Sequence, residues 1–363
     1  MSERDIHAKR FDDGTRIKLD IYRRYLREWL PVFLNSAKRE IAIFDYFAGP
    51  GRNEFGEEGS PLIALDEIGS ALEKHGNKNR PEIKLYFNEF NAAKCDELMR
   101  LCEQHPIVNK VQLQFQSEEF QTAFRNWSGE MTRNNVAQLL FLDQYGVKQV
   151  DRDVFEGIIR MPYTDVLFYI SSSTIHRFDD NPAIVGAIEA TKDGLRRMTG
   201  SNVHRVVCDE YRKFVPEGVK YYLSPFSIKK GSNVYGLVFG SANELGAEKF
   251  LSLCWKTDPI FGEANFDIYG EHIQRGQMYF LDLGKPKKLQ VFEDRLRDLV
   301  PEKTLTTFSE VYRYALSEGF LPKHAREFLK KMMKDGLLPK QSICLSYDSC
   351  RSTVSPVRIL LKE

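Results

Sequence analysis

The chain has 363 residues, 42% hydrophobic and 28% charged, with 25 Phe and 16 Tyr. This gives ample apolar material for a large core and is unlike a disordered chain. The 52 basic residues nearly cancel the 51 acidic ones, so any binding to nucleic acid or an anionic membrane falls to a local patch. The charged N-terminus, the absence of any span-length apolar run, and six cysteines (95, 102, 208, 254, 344, 350) without a C-x-x-C pair argue against a membrane protein, a disulfide scaffold and a zinc finger, and predict a soluble, cytoplasmic protein with reduced thiols.

A helix is predicted over about 15–34, where Tyr22, Leu26, Trp29 and Phe33 recur at helical spacing behind Asp12, Asp13 and Gly14. A buried strand fits 41–45, a Gly-rich loop runs to Pro61, and a helix follows to about 74. Strands fit 83–87, 111–115, 138–142 and 165–170, with helices at 92–104 and near 120–127 between them. This alternation predicts a doubly wound, mostly parallel α/β sheet, Rossmann-like in layout, whose post-strand loops gather along one edge. From 180 to 285 the pattern is less regular, with a helix at 183–198, a strand at 235–239, a helix at 245–255 and a last strand at 278–281. A polar break at 284–288 then divides a domain 1–285 from a domain 286–363. In the second domain, Thr307 and Glu310 form a capping box, Gly319 ends that helix, Pro322 opens another to Asp335, and β-like runs at 341–347 and 354–361 complete the order of a winged helix-turn-helix.

The loop after the first strand carries the most chemistry. Gly49-Pro50-Gly51 lets backbone approach a ligand closely, ahead of a helix N-terminus. Acidic residues end or follow four successive strands: Asp45, Glu89, Glu118 and Asp143. An acid after the second strand suits ribose hydroxyls. Neither G-x-G-x-x-G nor G-x-x-x-x-G-K-[ST] occurs, so the pattern leans away from NAD and ATP and towards S-adenosylmethionine in a methyltransferase-like fold. A strand-ending Asp before Gly is also common in ordinary turns, and that reading stands beside the cofactor one.

Three blocks, Tyr25-Leu-Arg-Glu-Trp-Leu-Pro31, Asp45-Tyr-Phe-Ala-Gly-Pro-Gly-Arg52 and Gly59-Ser-Pro-Leu62, resemble the opening of the three-Cys-motif partner family. Phe141-Leu-Asp-Gln-Tyr-Gly146, Gly246 to Phe250 and Trp255 to Asp258 resemble later segments of the same family. The resemblance covers nearly the whole chain. It implies a class I, S-adenosylmethionine-dependent methyltransferase-like fold, a protein partner with a three-cysteine, radical-SAM-like motif, and a defence or mobile-element context. It does not supply a reaction.

On that reading Asp45, Phe47, Gly49, Gly51 and Glu89 form the cofactor cradle, with Glu118 near the adenine. Asp143 and Tyr145 face the methyl acceptor, and Arg52 anchors an anionic group. The family's D-P-F-G appears here with Gln144 in place of proline, which removes a rigid φ from the acceptor loop. Methyl transfer needs positioning more than acid–base chemistry. His176 and Ser172 read as loop residues, and no His or Cys pair has metal spacing. Over 285–340 there are 13 basic and 8 acidic residues. Lys323, Arg326, Lys330, Lys331 and Lys334 on the second C-terminal helix are nucleic-acid candidates, while a solvated or protein-docking face is the alternative. Two functions are carried: methyl transfer to nucleic acid or a nucleic-acid-associated target, and a non-catalytic scaffold that binds protein or DNA through its winged helix.

Overall fold

The computed structural model describes residues 9–75, 80–144, 149–171, 203–230, 233–272 and 286–361, and every element below lies among them. The chain divides into two compact units, 1–242 and 243–363. The break expected at 285 therefore falls inside the second unit. The helix expected at 183–198, the strand expected at 278–281, and Tyr145, Ser172 and His176 lie outside the described residues.

The first unit opens with α1 (Asp13–Leu34), whose N-cap Asp12 accepts the Thr15 N–H at 2.9 Å. Its apolar stripe of Tyr22, Tyr25, Leu26, Trp29 and Leu30 is almost fully buried. The remaining elements in chain order are β1 (Glu40–Asp45), α2 (Ser60–His75), β2 (Glu82–Asn88), α3 (Ala92–Glu103), β3 (Gln112–Gln116), α4 (Phe120–Met131), β4 (Val136–Leu142), α5 (Arg152–Arg160), β5 (Thr164–Ser171), α6 (Val203–Lys213), β6 (Tyr222–Lys230) and β7 (Asn233–Ser241).

The seven strands are ordered β3-β2-β1-β4-β5-β7-β6. The first five run parallel, β7 runs antiparallel to β5, and β6 runs antiparallel to β7. β1 and β4 are buried at every position, as central parallel strands covered on both faces must be. The chain reverses its winding direction between β1 and β4, and the crevice outside their carboxyl ends is where such sheets bind ligands. Asp45 lies abreast of Phe87 on β2 and Phe141 on β4. Glu89 and Asp143 each stand two residues further along and flank it. β6 carries Pro225, which a ladder tolerates at the sheet's edge.

The second unit holds α7 (Glu244–Thr257), α8 (Lys287–Leu299), α9 (Phe308–Ser317), α10 (Pro322–Lys334) and α11 (Tyr347–Cys350). The capping box expected at Thr307 and Glu310 is present. Gly319, at φ +78, turns the chain between α9 and α10, and Trp255 on α7 donates to its carbonyl at 3.0 Å. The hairpin expected from 341–347 and 354–361 does not form. The second run pairs instead with the segment ahead of α9, through Phe308 N–H to Val357 O (3.0 Å) and Ile359 N–H to Thr306 O (2.8 Å). The first run is joined to the last only through the Gln341 side chain, which donates to Leu360 O at 2.9 Å and accepts its N–H at 2.8 Å. All six thiols are free, and all but Cys344 are buried. No described helix is long and apolar enough to cross a membrane.

Candidate functional site

Asp45 has no exposed surface. One carboxylate oxygen accepts the Phe47 N–H at 3.2 Å and the other accepts the Ser60 hydroxyl at 2.5 Å. It therefore joins the end of β1 to the start of α2 and shapes the cradle without lining it. Burial pushes its pKa up to about 7, against the pull of Ser60 and Phe47, and nearby Asp143 raises it while Lys18 lowers it. Because the folded value lies above the unfolded one, the native state binds more protons between them. Stability from this group falls as pH rises from about 4 to about 7. Asp45→Asn keeps one oxygen to accept the Phe47 N–H and offers an amide that can donate to the Ser60 hydroxyl, without that charge. Urea unfolding at pH 5 and pH 8 should show the variant gaining on wild type by on the order of 2 kcal/mol at the higher pH. Equal differences at both pH values would show that Asp45 does not titrate in this range.

The loop after β1 turns at two left-handed glycines, Gly49 (φ +64) and Gly51 (φ +86). The Gly49 N–H donates to Glu89 at 2.9 Å, and the other Glu89 oxygen accepts the Asn91 N–H at 2.9 Å. Gly59 N–H closes the loop on Gly51 O at 2.8 Å. Basic residues on α1 brace it from outside. Arg16 reaches Glu57 at 2.7 Å, Arg23 reaches Glu58 at 3.5 Å, and Arg27 reaches Glu67 on α2 at 2.8 Å. The Phe11 N–H, Arg16 and Asn53 together hold the Glu57 carboxyl down at about 2. Arg52 is exposed and paired with Glu58 at 3.3 Å.

Asn88, at the end of β2, ties three post-strand loops together. Its amide donates to Tyr46 O (3.1 Å) and Glu118 O (3.0 Å), and its carbonyl accepts the Glu118 N–H (3.1 Å). The Glu118 side chain is exposed. Phe47 is half-buried and stacks on Phe120 with centroids 5.4 Å apart. Phe90, beside Glu89, is 69% exposed and is an aromatic face that sequence reasoning passed over.

On the other flank, Asp143 forms an ion pair with Lys18 of α1. The Lys18 ammonium also lies 4.7 Å from the centroid of the Tyr169 ring, on β5. Nothing in the sequence marks Lys18, because its partner stands 125 residues away. Gln144 is buried, and its carbonyl accepts the N–H groups of Gln149 and Val150, both at 3.2 Å. The glutamine thus ties residues 149 and 150 to the end of β4 by side-chain hydrogen bonds, whereas a proline would act through its fixed φ. The structure brings Asp45, Phe47, Gly49, Gly51, Glu89 and Asp143 to one edge of the sheet. No cluster of three or more His, Cys, Asp or Glu placed to hold a metal occurs among the described residues.

In the second unit Ala325, Phe328, Leu329 and Met332 are the buried face of α10. Lys323, Arg326, Lys330 and Lys334 follow one another at three- and four-residue steps on another face, which makes a stripe. Lys323, Lys330 and Lys334 are exposed, while Lys331 is half-buried. Arg326 is also half-buried and donates to Leu345 O. His324 accepts the Leu321 N–H at 3.1 Å. Burial, with Lys323 and Lys288, pushes its pKa down to about 3, so the stripe's charge at neutral pH is carried by its lysines and Arg326.

Residues 267–341 match the family described as GMT-like wHTH domain. The chain carries a doubly wound, Rossmann-like α/β sheet, followed by a segment similar to a winged helix-turn-helix domain. No curated protein matches it. Among solved structures it is similar to the O-methyltransferase TomG from Streptomyces achromogenes in complex with SAM, at 10% identity over 66% of this chain and 90% of that one, with a TM-score of 0.35. It is similar also to an O-methyltransferase from Bacillus cereus in complex with SAH (9% identity, 60% and 79% covered, TM-score 0.35) and to TYW2 from P. horikoshii in complex with MeSAdo (8%, 65% and 65%, 0.33). Strand order and register, not these distant likenesses, establish the fold.

Proposed function

We propose that the protein binds S-adenosylmethionine and transfers its methyl group to nucleic acid or a nucleic-acid-associated target. The observation that carries this reading is the pair of carboxylates, Glu89 and Asp143, flanking a left-handed glycine loop at the point where the sheet reverses its winding. Their chemistry fits the cofactor. Glu89 stands where ribose hydroxyls would donate, and its charge suits a cationic sulfonium better than a phosphate. Arg52, the cation on the loop itself, is paired with Glu58, so a phosphate would find no free basic partner there. Gly49, Gly51, Phe47 and Glu89 would hold the nucleoside, with Phe90 and Glu118 at the adenine, while Asp143 and Tyr145 would face the acceptor. The cofactor supplies an activated methyl group, and the chain's part is to bind, orient and exclude water.

Calorimetric titration with S-adenosylmethionine and S-adenosylhomocysteine tests this reading. Binding in the micromolar range that weakens about tenfold or more in Glu89→Ala is the expected result. No binding by folded protein would remove the cofactor reading.

The second reading is a scaffold that keeps the fold without the reaction. It is favoured by Gln144, which replaces the proline of base-methylating loops and fixes residues 149–150 instead. On either reading the family resemblance proposes a three-cysteine, radical-SAM-like partner and a defence setting, which co-purification with such a protein would test.

A further inference from the structure

Cys344 and Cys350 stand six residues apart, on either side of the short helix α11. Cys350 is fully buried, and its S–H donates to the Cys344 carbonyl at 3.2 Å. The Cys344 Cα therefore lies within roughly 5.6 Å of the Cys350 sulfur. A Cys344 side chain turned that way brings the two sulfurs to about 3 Å. A backbone shift on the order of 1 Å then allows a disulfide bond of about 2.05 Å.

Exposure divides the labour between them. Cys344 is half-exposed, and the other five thiols are buried. Cys344 can meet a reagent from solvent, while Cys350 waits beside it and needs no access of its own. The remaining thiols are poorly placed for the same chemistry. Cys95 and Cys102 lie on α3, Cys208 on α6 and Cys254 on α7. Burial pushes the Cys102 thiol up to about 12 and raises that of Cys254 as well. Both stay protonated, and the thiolate is the nucleophile. The segment between Cys344 and Cys350 also anchors the two helices of the helix-turn-helix. Arg326 of α10 donates to Leu345 O, and Arg313 of α9 donates to Cys350 O at 3.2 Å.

We infer that Cys344 and Cys350 are a redox-active dithiol, which a low-molecular-weight disulfide such as glutathione disulfide converts to an intramolecular bridge. The Cys344 thiolate attacks one sulfur of the reagent, breaks its S–S bond and releases one glutathione thiolate. The Cys350 thiol then gives its proton to solvent, and its sulfur attacks that of Cys344, displacing the second glutathione. Two protein thiols are oxidised and one glutathione disulfide is reduced. The bridge fixes the segment from which Arg326 takes its acceptor, so oxidation acts on a contact that ties down α10. The inference is independent of the cofactor reading.

Trypsin releases both cysteines on one peptide, 341–351, between Lys340 and Arg351. The folded full chain is treated with excess glutathione disulfide, its remaining thiols are blocked with N-ethylmaleimide in urea, and the digest is read by mass spectrometry without reductant. The expected wild-type peptide is unblocked and lighter by two hydrogen atoms. Cys102, Cys208 and Cys254 should all carry the blocking group, which reports that the protein stayed folded during oxidation. Cys350→Ser should halt the sequence at a glutathione adduct on Cys344, and Cys344→Ser should give neither adduct nor bridge. Cys350→Ala serves in place of Cys350→Ser should a buried hydroxyl prevent folding. A wild-type peptide that keeps the glutathione adduct, carries two blocked thiols, or is linked through Cys344 to a second copy overturns the inference.

Discussion

Gly51→Val should abolish S-adenosylhomocysteine binding and lower stability by about 3 kcal/mol. Two costs add. The backbone at 51 sits at φ +86, which a β-branched residue adopts only under strain. A Cβ there would also lie 3.0 Å from a Leu98 methyl and 3.3 Å from one of Leu101, both on α3. The leucines cannot yield without opening the layer beneath the cradle, since Leu98 is fully buried. Thermal unfolding should fall by roughly 5–10 °C for a unit of this size. Gly56→Ala is the control. It has a similar φ of +79, but its Cβ meets nothing within 4 Å. It should lose only about 1 kcal/mol and keep the binding. A Gly51→Val protein that binds the ligand normally would place the cofactor somewhere other than this loop.

The second large effect is expected on α10. Replacing Lys323, Lys330 and Lys334 together by alanine should weaken duplex DNA binding by about two orders of magnitude and lower the salt slope by about three. These side chains are exposed and share one face, so their removal leaves the core side of α10 intact. Sequence discrimination should be slight. Lysine reads phosphate as a point charge, and Arg326, which could fork onto a guanine edge, is engaged with Leu345 O. Unrelated duplexes should therefore bind within about threefold of one another. Wild-type affinity in the triple variant would turn the winged helix towards a protein partner. Arg326→Ala should instead loosen the second unit, measurable as a lower midpoint in thermal unfolding.

Much of this was legible in one dimension. β1 and β4 announced themselves because central strands must be buried throughout, and the paired glycines marked a backbone turn that side chains resist. Asp45, Glu89 and Asp143 were found because a strand end fixes where the next residue goes. Their division of labour was not legible. Asp45 reads like a ligand contact, yet burial confines it to Ser60 and Phe47. β6 escaped notice because Pro225 argues against a strand, and only the strand's edge position accommodates it. Helices α5, α6 and α8 were passed over although their apolar residues recur at helical spacing, as Val154, Phe155, Ile158 and Ile159 do on α5. The apparent hairpin near the C-terminus failed for a different reason. Alternation predicts an extended run but not its partner, and the last run found the segment before α9.

The anchoring of α1 has a consequence for biosynthesis. This helix is made well before its partners: Asp143 and Asp165, which bind Lys18 and Tyr25, lie 125 and 140 residues later. At ordinary translation speeds that gap lasts on the order of ten seconds. Throughout it a stripe bearing two tyrosines, a tryptophan and two leucines has no sheet to cover it. The nascent chain must shield this stripe, by transient collapse or by a chaperone, until β4 and β5 emerge. Helix α1 is thus fully locked in place only after β4 and β5 have been made.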